Sequence, residues 1–157
     1  MSFTAAGPAA AQGQAAVRYR TELTHSVAPC RSGAPGPAVW LSISGIKQGG
    51  GIMRVQLYRG TQEDWLASGR WLNRIELPAR AGTMTVCMPV PQAGSYGIAV
   101  RHDINGNGKT DLTTDGGGMS NNPSINIFNL GRPSYTRTAF PVARGEVKPM
   151  AIRMRYM

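Results

Sequence analysis

Short runs in which apolar and polar residues alternate dominate the chain from about residue 38 onward. Apolar side chains recur at every second position in residues 39–43 and again in residues 53–57, after a glycine-rich turn at 45–51. A period of two residues places successive side chains on opposite faces of a β-strand. The two runs are therefore predicted to pair as a hairpin.

The alternation recurs between glycine or proline residues and predicts further strands. These strands cover residues 70–77, 83–90, 96–102, 137–142 and 147–156. Between the third and fourth of them lies a glycine- and asparagine-rich stretch, roughly 103–136, with one extended piece at Ile125–Phe128. Thr61–Ser68 predicts a single helical turn with Thr61 as its N-cap. No helix of ordinary length fits the pattern.

About seven short strands without long helices predict an all-β fold, an antiparallel β-sandwich of immunoglobulin-like or transthyretin-like type. The sandwich domain is predicted over residues 29–157. Residues 1–28 are interpreted as a flexible tail or a residual signal-peptide segment, in which residues 17–25 alternate well enough to add an edge strand.

The 157 residues are 41% hydrophobic and suffice for one core. No stretch approaches the roughly 18 consecutive apolar residues of a membrane helix, so no membrane span is predicted. The net charge is +9 and 14 residues are Arg, which favours anionic partners such as lipopolysaccharide or acidic glycans. The arginines form no block of five or six like charges, so they are interpreted mainly as solvated strand faces, and a nucleic-acid surface is disfavoured.

Cys30 and Cys87 are the only cysteines, too few for a structural zinc site. A disulfide between them is predicted, and it would close a loop of about 60 residues, worth roughly 4 kcal/mol in loop-closure entropy. The alternative is two unrelated buried thiols in a reducing cytosol.

The small residues Ala9–Ala11 before Gln12 resemble the end of a secretory signal peptide, although the charged and apolar regions of such a peptide are missing. A periplasmic or secreted protein is the resulting expectation.

Residues 101–115, RHDINGNGKTDLTTD, have the spacing of a calcium-binding loop. Acidic and amide side chains occupy positions 1, 3 and 5 of the loop, and a glycine occupies position 6. Position 7 offers its backbone carbonyl as a ligand, and position 9 is an aspartate. This arrangement suits a hard cation that takes six to eight oxygen ligands. The candidate ligands are Asp103, Asn105, Asn107, Lys109 through its carbonyl, Asp111 and Asp115. Position 12 holds Thr114 instead of the usual Glu, which predicts weak binding, with a dissociation constant on the order of 10⁻⁴–10⁻³ M. The alternative is a metal-free turn held by Asn and Asp side chains.

No catalytic constellation is evident in the chain. His102 lies on the same face of its strand as Tyr96, Ile98 and Val100 and is interpreted as a core histidine. A rival hypothesis assembles a hydrolase site in the loop, from Arg101, His102, Asp103 and Asp111. The three tryptophans are interpreted as packing residues rather than as platforms for sugars or bases.

Four segments together resemble an uncharacterised bacterial family, domain of unknown function 2141. They are residues 39–58 (VWLSISGIKQGGGIMRVQLY), 94–111 (GSYGIAVRHDINGNGKTD), 116–123 (GGGMSNNP) and 139–145 (AFPVARG), so that the resemblance spans about residues 38–156. The resemblance implies an exported single-domain β-sandwich without an assigned activity and supplies no catalytic residues. Family members often continue the loop with an aliphatic-Asp-x-Asn pattern, from which Leu112–Asp115 departs. The resulting hypothesis is a non-enzymatic, calcium-stabilised module of the cell envelope.

Overall fold

The computed structural model describes residues 16–108, 115–124 and 132–156. Within these ranges the chain forms ten strands, a 3₁₀ turn at Ala28–Cys30 and a four-residue helix, α1, at Tyr135–Thr138. The strands are β1 (Thr21–Leu23), β2 (Ala38–Ile46), β3 (Ile52–Arg59), β4 (Trp71–Pro78), β5 (Gly82–Pro89), β6 (Gly94–Asp103), β7 (Gly116–Met119), β8 (Phe140–Val142), β9 (Val147–Arg153) and β10 (Arg155–Tyr156).

The strands form two sheets that pack as a sandwich, which confirms the predicted fold class. A seven-stranded sheet has the order β1-β4-β3-β6-β7-β10, with β8 also pairing with β6, and a three-stranded sheet has the order β5-β2-β9. The sheets are mixed rather than purely antiparallel, because β1 runs parallel to β4 and β9 runs parallel to β2. Both parallel pairs join strands that are far apart in sequence, as the crossover connection of a parallel pair requires.

The predicted hairpin between the first two long strands is wrong. β2 pairs with β5 and β9, whereas β3 pairs with β4 and β6 in the opposite sheet. Both strands bury their alternate apolar residues, and these rows meet across the core instead of lying side by side. Alternation determines which face of a strand is buried but not which strand lies beside it.

The core fills the space between the sheets with residues from every long strand. Its fully buried members include Leu41, Ile43, Met53, Val55, Leu57, Val86, Met88, Ile98 and Ile152. A second cluster of Tyr58, Trp65, Trp71 and Met119 lies apart from this core. Trp65 belongs to the predicted helical turn, in which its N–H donates to the Thr61 carbonyl at 3.0 Å and the Asp64 N–H donates to Thr61 Oγ1 at 3.3 Å.

The glycine-rich segment predicted as a loop contains a strand, β7. It pairs with β6 on one side and β10 on the other. A Cβ atom at Gly118 would lie 2.7 Å from Ile152 Cγ2, and one at Gly116 would overlap the ring of Tyr156. Glycine is therefore required where the C-terminal strands pass closest. The extended piece predicted at Ile125–Phe128 lies outside the described residues.

The C-terminal part of the chain also departs from prediction. Residues 137–142 are not one strand, because α1 extends to Thr138 and β8 begins only at Phe140. Residues 147–156 divide at Met154, whose N–H donates to the Ser44 carbonyl at 2.8 Å. The chain passes there from the three-stranded sheet into the seven-stranded sheet.

Residues 19–30, which we call the N-terminal strap, run along one side of the sandwich. The edge strand considered for residues 17–25 forms at Thr21–Leu23, beside β4. The Cys87 N–H on β5 donates to His25 Nε2 at 3.0 Å, and the predicted disulfide joins Cys30 to Cys87. The strap therefore connects the β4 edge of one sheet to the β5 edge of the other.

Candidate metal-binding loop

Asp103 is the last residue of β6 and the first of the predicted ligands. The residue is only 4% exposed, and its Oδ2 accepts a hydrogen bond from the Gly108 N–H at 2.7 Å. The other carboxylate oxygen, Oδ1, is buried and has no hydrogen-bond partner among the described residues. A buried carboxylate oxygen without a donor is costly, because burial strips it of water.

The turn after Asp103 has the tight geometry that the sequence spacing predicts. The Asn107 N–H donates to Asn105 Oδ1 at 3.1 Å, and the Gly106 N–H donates to the Asp103 carbonyl at 3.3 Å. Gly106 and Gly108 have φ angles of +66° and +76°, which favour glycine. Side-chain hydrogen bonds of this kind also hold metal-free turns.

Asp115 returns the chain to the start of the loop. It is 7% exposed, and its Oδ1 accepts a hydrogen bond from the Ile104 N–H at 3.2 Å. The structure therefore brings Asp115 next to the residue that follows Asp103. Lys109 and Asp111 lie outside the described residues. Within the described ranges, no group of three or more His, Cys, Asp or Glu side chains is arranged to hold a metal.

The glycine-containing connection between β2 and β3 packs against the start of the loop. Gly51 has a φ angle of +70°, and a Cβ atom on it would overlap the Asp103 carbonyl oxygen. Its neighbour Gly50, at φ +88°, has open space around the same position. The close packing at Gly51 fixes the position of Asp103.

His102 is completely buried, in agreement with its interpretation as a core residue. Its Nε2 lies 2.8 Å from the Gly50 carbonyl, and its Nδ1 lies 2.7 Å from the Tyr156 hydroxyl. Because a carbonyl only accepts, Nε2 carries the proton, and Nδ1 accepts from the hydroxyl in the neutral ring. Burial raises the pKa of Tyr156, which keeps that hydroxyl protonated. Both ring nitrogens are thus engaged in the fold.

A buried ionic cluster that the sequence did not reveal lies at Asp64. The residue is fully buried; its Oδ2 accepts from Arg59 Nε at 2.6 Å and from the Tyr19 hydroxyl at 2.7 Å. Its Oδ1 lies 3.8 Å from Arg70 Nη1, and that guanidinium is 5.1 Å from the centre of the Tyr19 ring. Burial alone raises the pKa of Asp64, but the Arg59 and Tyr19 hydrogen bonds and the arginine charges outweigh it and lower the pKa. The sequence pattern gave no sign of this cluster, because Tyr19 and Asp64 are 45 residues apart in the chain.

The segment Ser120–Asn122 joins three parts of the fold through its side chains. Ser120 Oγ donates to the Thr138 carbonyl at 2.6 Å and accepts from the Ile98 N–H at 3.0 Å. Asn122 accepts from the Arg153 N–H at 2.8 Å and donates to the Ala151 carbonyl at 3.1 Å, so that it satisfies backbone groups of β9. These residues therefore have a structural role.

Comparisons with known proteins place the chain in a bacterial family. Searches of curated proteins and of solved structures gave no match. Across the part of the chain that the structure describes, no helix has the length and apolar character needed to cross a membrane. The family described as "Uncharacterized protein conserved in bacteria (DUF2141)" matches residues 41–149. Since this match covers most of the chain, the protein belongs to that family.

Proposed function

We propose that the protein is an extracytoplasmic, non-enzymatic module of the bacterial cell envelope whose loop after β6 binds calcium. The disulfide between Cys30 and Cys87 supports a periplasmic or secreted location, because such bridges persist in oxidising compartments. Calcium binding rests on one observation above all, the buried Oδ1 of Asp103 without a donor.

The oxygen atoms around Asp103 are of the carboxylate, amide and carbonyl types that calcium takes as ligands. Backbone N–H groups hold one oxygen of Asp103 and one of Asp115. Among the described residues, no Lys or Arg forms an ion pair with Asp103. A divalent cation on Asp103 Oδ1 would supply the missing compensation, with amide and carbonyl oxygens of residues 105–111 as further ligands.

The absence of an enzymatic role is proposed from the environment of His102. The hydrolase hypothesis needs this imidazole to exchange protons with a substrate at the loop. Full burial and two hydrogen bonds oppose that role. A hydrolase screen in which activity disappears with Asp103→Ala would reverse this part of the proposal.

Thermal melts in EDTA, calcium and magnesium test the proposal directly. If the dissociation constant is near 10⁻⁴ M, about 10 mM calcium stabilises the protein by roughly 2.7 kcal/mol, a rise in Tm of about 5–10 °C. Magnesium should do less, because it demands a tighter octahedral shell. Asp103→Ala should abolish the calcium response. Glu63→Ala, which removes an exposed carboxylate elsewhere, should preserve it. Identical wild-type melts in all three solutions would mean that the loop is a metal-free turn.

A further inference from the structure

The outer face of the three-stranded sheet carries a row of small hydroxyl side chains beside an aromatic residue. Val39 and Leu41 of β2 point into the core, so Trp40 and Ser42 point outward. Ser42 lies opposite Thr85 on β5 and opposite Ala151 on β9. Thr85 and Ala151 are both exposed.

Trp40 differs from the other tryptophans of the chain. Trp65 and Trp71 are buried in the second apolar cluster, whereas Trp40 is partly exposed. Trp40 lies in a groove of about 460 Å³ beside the disulfide, and the groove is lined by Val27, Cys30, Arg31, Trp40, Val147 and Pro149. The groove therefore combines an indole surface, apolar walls and one exposed guanidinium.

The charge of the groove indicates an anionic ligand. Arg31 is the only charged residue among the lining residues within the described ranges. The chain as a whole carries a net charge of +9, which attracts polyanions over long distances. A guanidinium pairs with a carboxylate through two parallel hydrogen bonds, a geometry that lysine does not offer.

We infer that this groove binds an acidic polysaccharide, with a pyranose ring stacked on Trp40 and a uronic-acid carboxylate on Arg31. The apolar C–H face of a sugar ring fits an indole, and the ring hydroxyls match the Ser42 and Thr85 hydroxyls that continue the same face. Single-stranded nucleic acid fits less well, because it requires a succession of aromatic platforms along a charged track. The inference does not depend on calcium, since the groove and the loop belong to different sheets.

Calorimetry with hexameric oligogalacturonate tests the inference, with a neutral hexasaccharide as the comparison. All titrations contain EDTA, because oligogalacturonate itself binds calcium, and the calcium proposal is thereby kept separate. The acidic hexamer should bind at least about tenfold more tightly than the neutral one. Binding should also protect tryptophan fluorescence from acrylamide, because Trp40 is the tryptophan that the groove leaves accessible.

Variants separate the groove from general electrostatic attraction. Trp40→Ala and Arg31→Gln should each weaken oligogalacturonate binding at least about tenfold, as expected for aromatic and arginine anchors. Trp40→Phe should retain part of the affinity, which guards against a variant that merely misfolds. The matched control Arg144→Gln removes an exposed charge from the β8–β9 turn and should change binding less than about twofold. The inference is overturned if the wild type does not bind, if Trp40→Ala binds normally, or if Arg144→Gln weakens binding as much as Arg31→Gln.

Discussion

The two buried carboxylates at Asp64 and Asp103 have opposite surroundings. Each has one oxygen that accepts short hydrogen bonds and one oxygen without a hydrogen bond to the described residues. The second oxygen of Asp64 faces the Arg70 guanidinium at 3.8 Å, and Arg59 binds the first. Asp103 has a backbone N–H on its first oxygen and no ion pair with a described basic residue. The chain thus neutralises Asp64 with its own cations, whereas under the proposed function a calcium ion from solution compensates Asp103.

Under the proposed function, this difference separates a side of the molecule that its own contacts hold together from a loop that a bound ion stabilises. Tyr19 ties the N-terminal strap to Asp64, β1 extends the seven-stranded sheet, and the disulfide fixes the strap to β5. At the loop, glycines and backbone amides set the shape, and Arg101 Nη2 donates to the Gly108 carbonyl at 3.4 Å. Calcium should therefore affect the loop, and disruption of the strap should leave the calcium response intact.

The largest expected effect comes from removing the disulfide. The double variant Cys30→Ser, Cys87→Ser should lose about 4 kcal/mol of unfolding free energy, or somewhat less, because its unfolded chain regains the entropy of a long loop. Urea unfolding measures the loss, and intact mass should place the oxidised wild type about 2 Da below the reduced protein. The rise in Tm with calcium should be the same as in the wild type. A calcium response that disappears with the bridge would show that the two sides are coupled.

Gly51→Ala should cause the second-largest loss of unfolding free energy, and it should act at the loop. The substitution combines strain at a φ angle of +70° with an overlap on the Asp103 carbonyl, and about 3 kcal/mol is expected. Gly50→Ala is a matched control, because it has a similar φ angle but open space around its Cβ, and it should cost only about 1 kcal/mol. Gly51→Ala should also reduce the calcium response, whereas Gly50→Ala should not. Equal losses in both variants would mean that Gly51 serves backbone conformation alone.

The sequence predicted features that are encoded locally. Alternation located most of the long strands and the buried row of each, and the spacing of Thr61 and Asp64 predicted the capped turn that the structure contains. The position of His102 on the inward face predicted its burial. The two cysteines predicted the disulfide that closes the strap. The first three inferences depend on periodicity or capping within a short stretch, whereas the disulfide followed from the count of cysteines, which lie 57 residues apart.

Features set by contacts between distant segments escaped prediction. The partner strands of β2 depend on how the two sheets face each other, which alternation does not encode. β7 was missed because Gly116–Gly118 have no side chains to alternate; their role becomes visible only when Ile152 and Tyr156 are packed against them. The Asp64 cluster requires Tyr19, which is 45 residues away in sequence.

Asp64→Asn should produce a smaller effect that depends on pH. Removing the charge leaves Arg59 and Arg70 unmatched, although both reach solvent, and a loss of about 2 kcal/mol at pH 7 is expected. Because the folded-state pKa of Asp64 is lowered, its carboxylate stabilises the fold above the ordinary pKa of about 4, and this contribution is lost as the pH falls through the lower folded-state value. The stability difference between wild type and variant should therefore narrow on acidification. A difference that stays constant down to pH 2 would assign the loss to packing.

The smallest expected effect is that of Tyr19→Phe, which removes one hydroxyl from the Asp64 cluster. The ring remains beside Arg59 and Arg70, so only the 2.7 Å hydrogen bond to Asp64 Oδ2 is lost. A hydrogen bond to a charged group contributes about 1.5–3 kcal/mol, and because this one is only partly buried, a loss near the lower end of that range is expected. Tyr135→Phe is the control, because that hydroxyl makes no hydrogen bond to the described residues, and it should change stability by less than about 0.5 kcal/mol. Urea unfolding of both variants, with and without calcium, measures the effect. If Tyr19→Phe were as stable as the control, Arg59 and Arg70 alone would compensate Asp64, and the strap would be held by β1 and the disulfide.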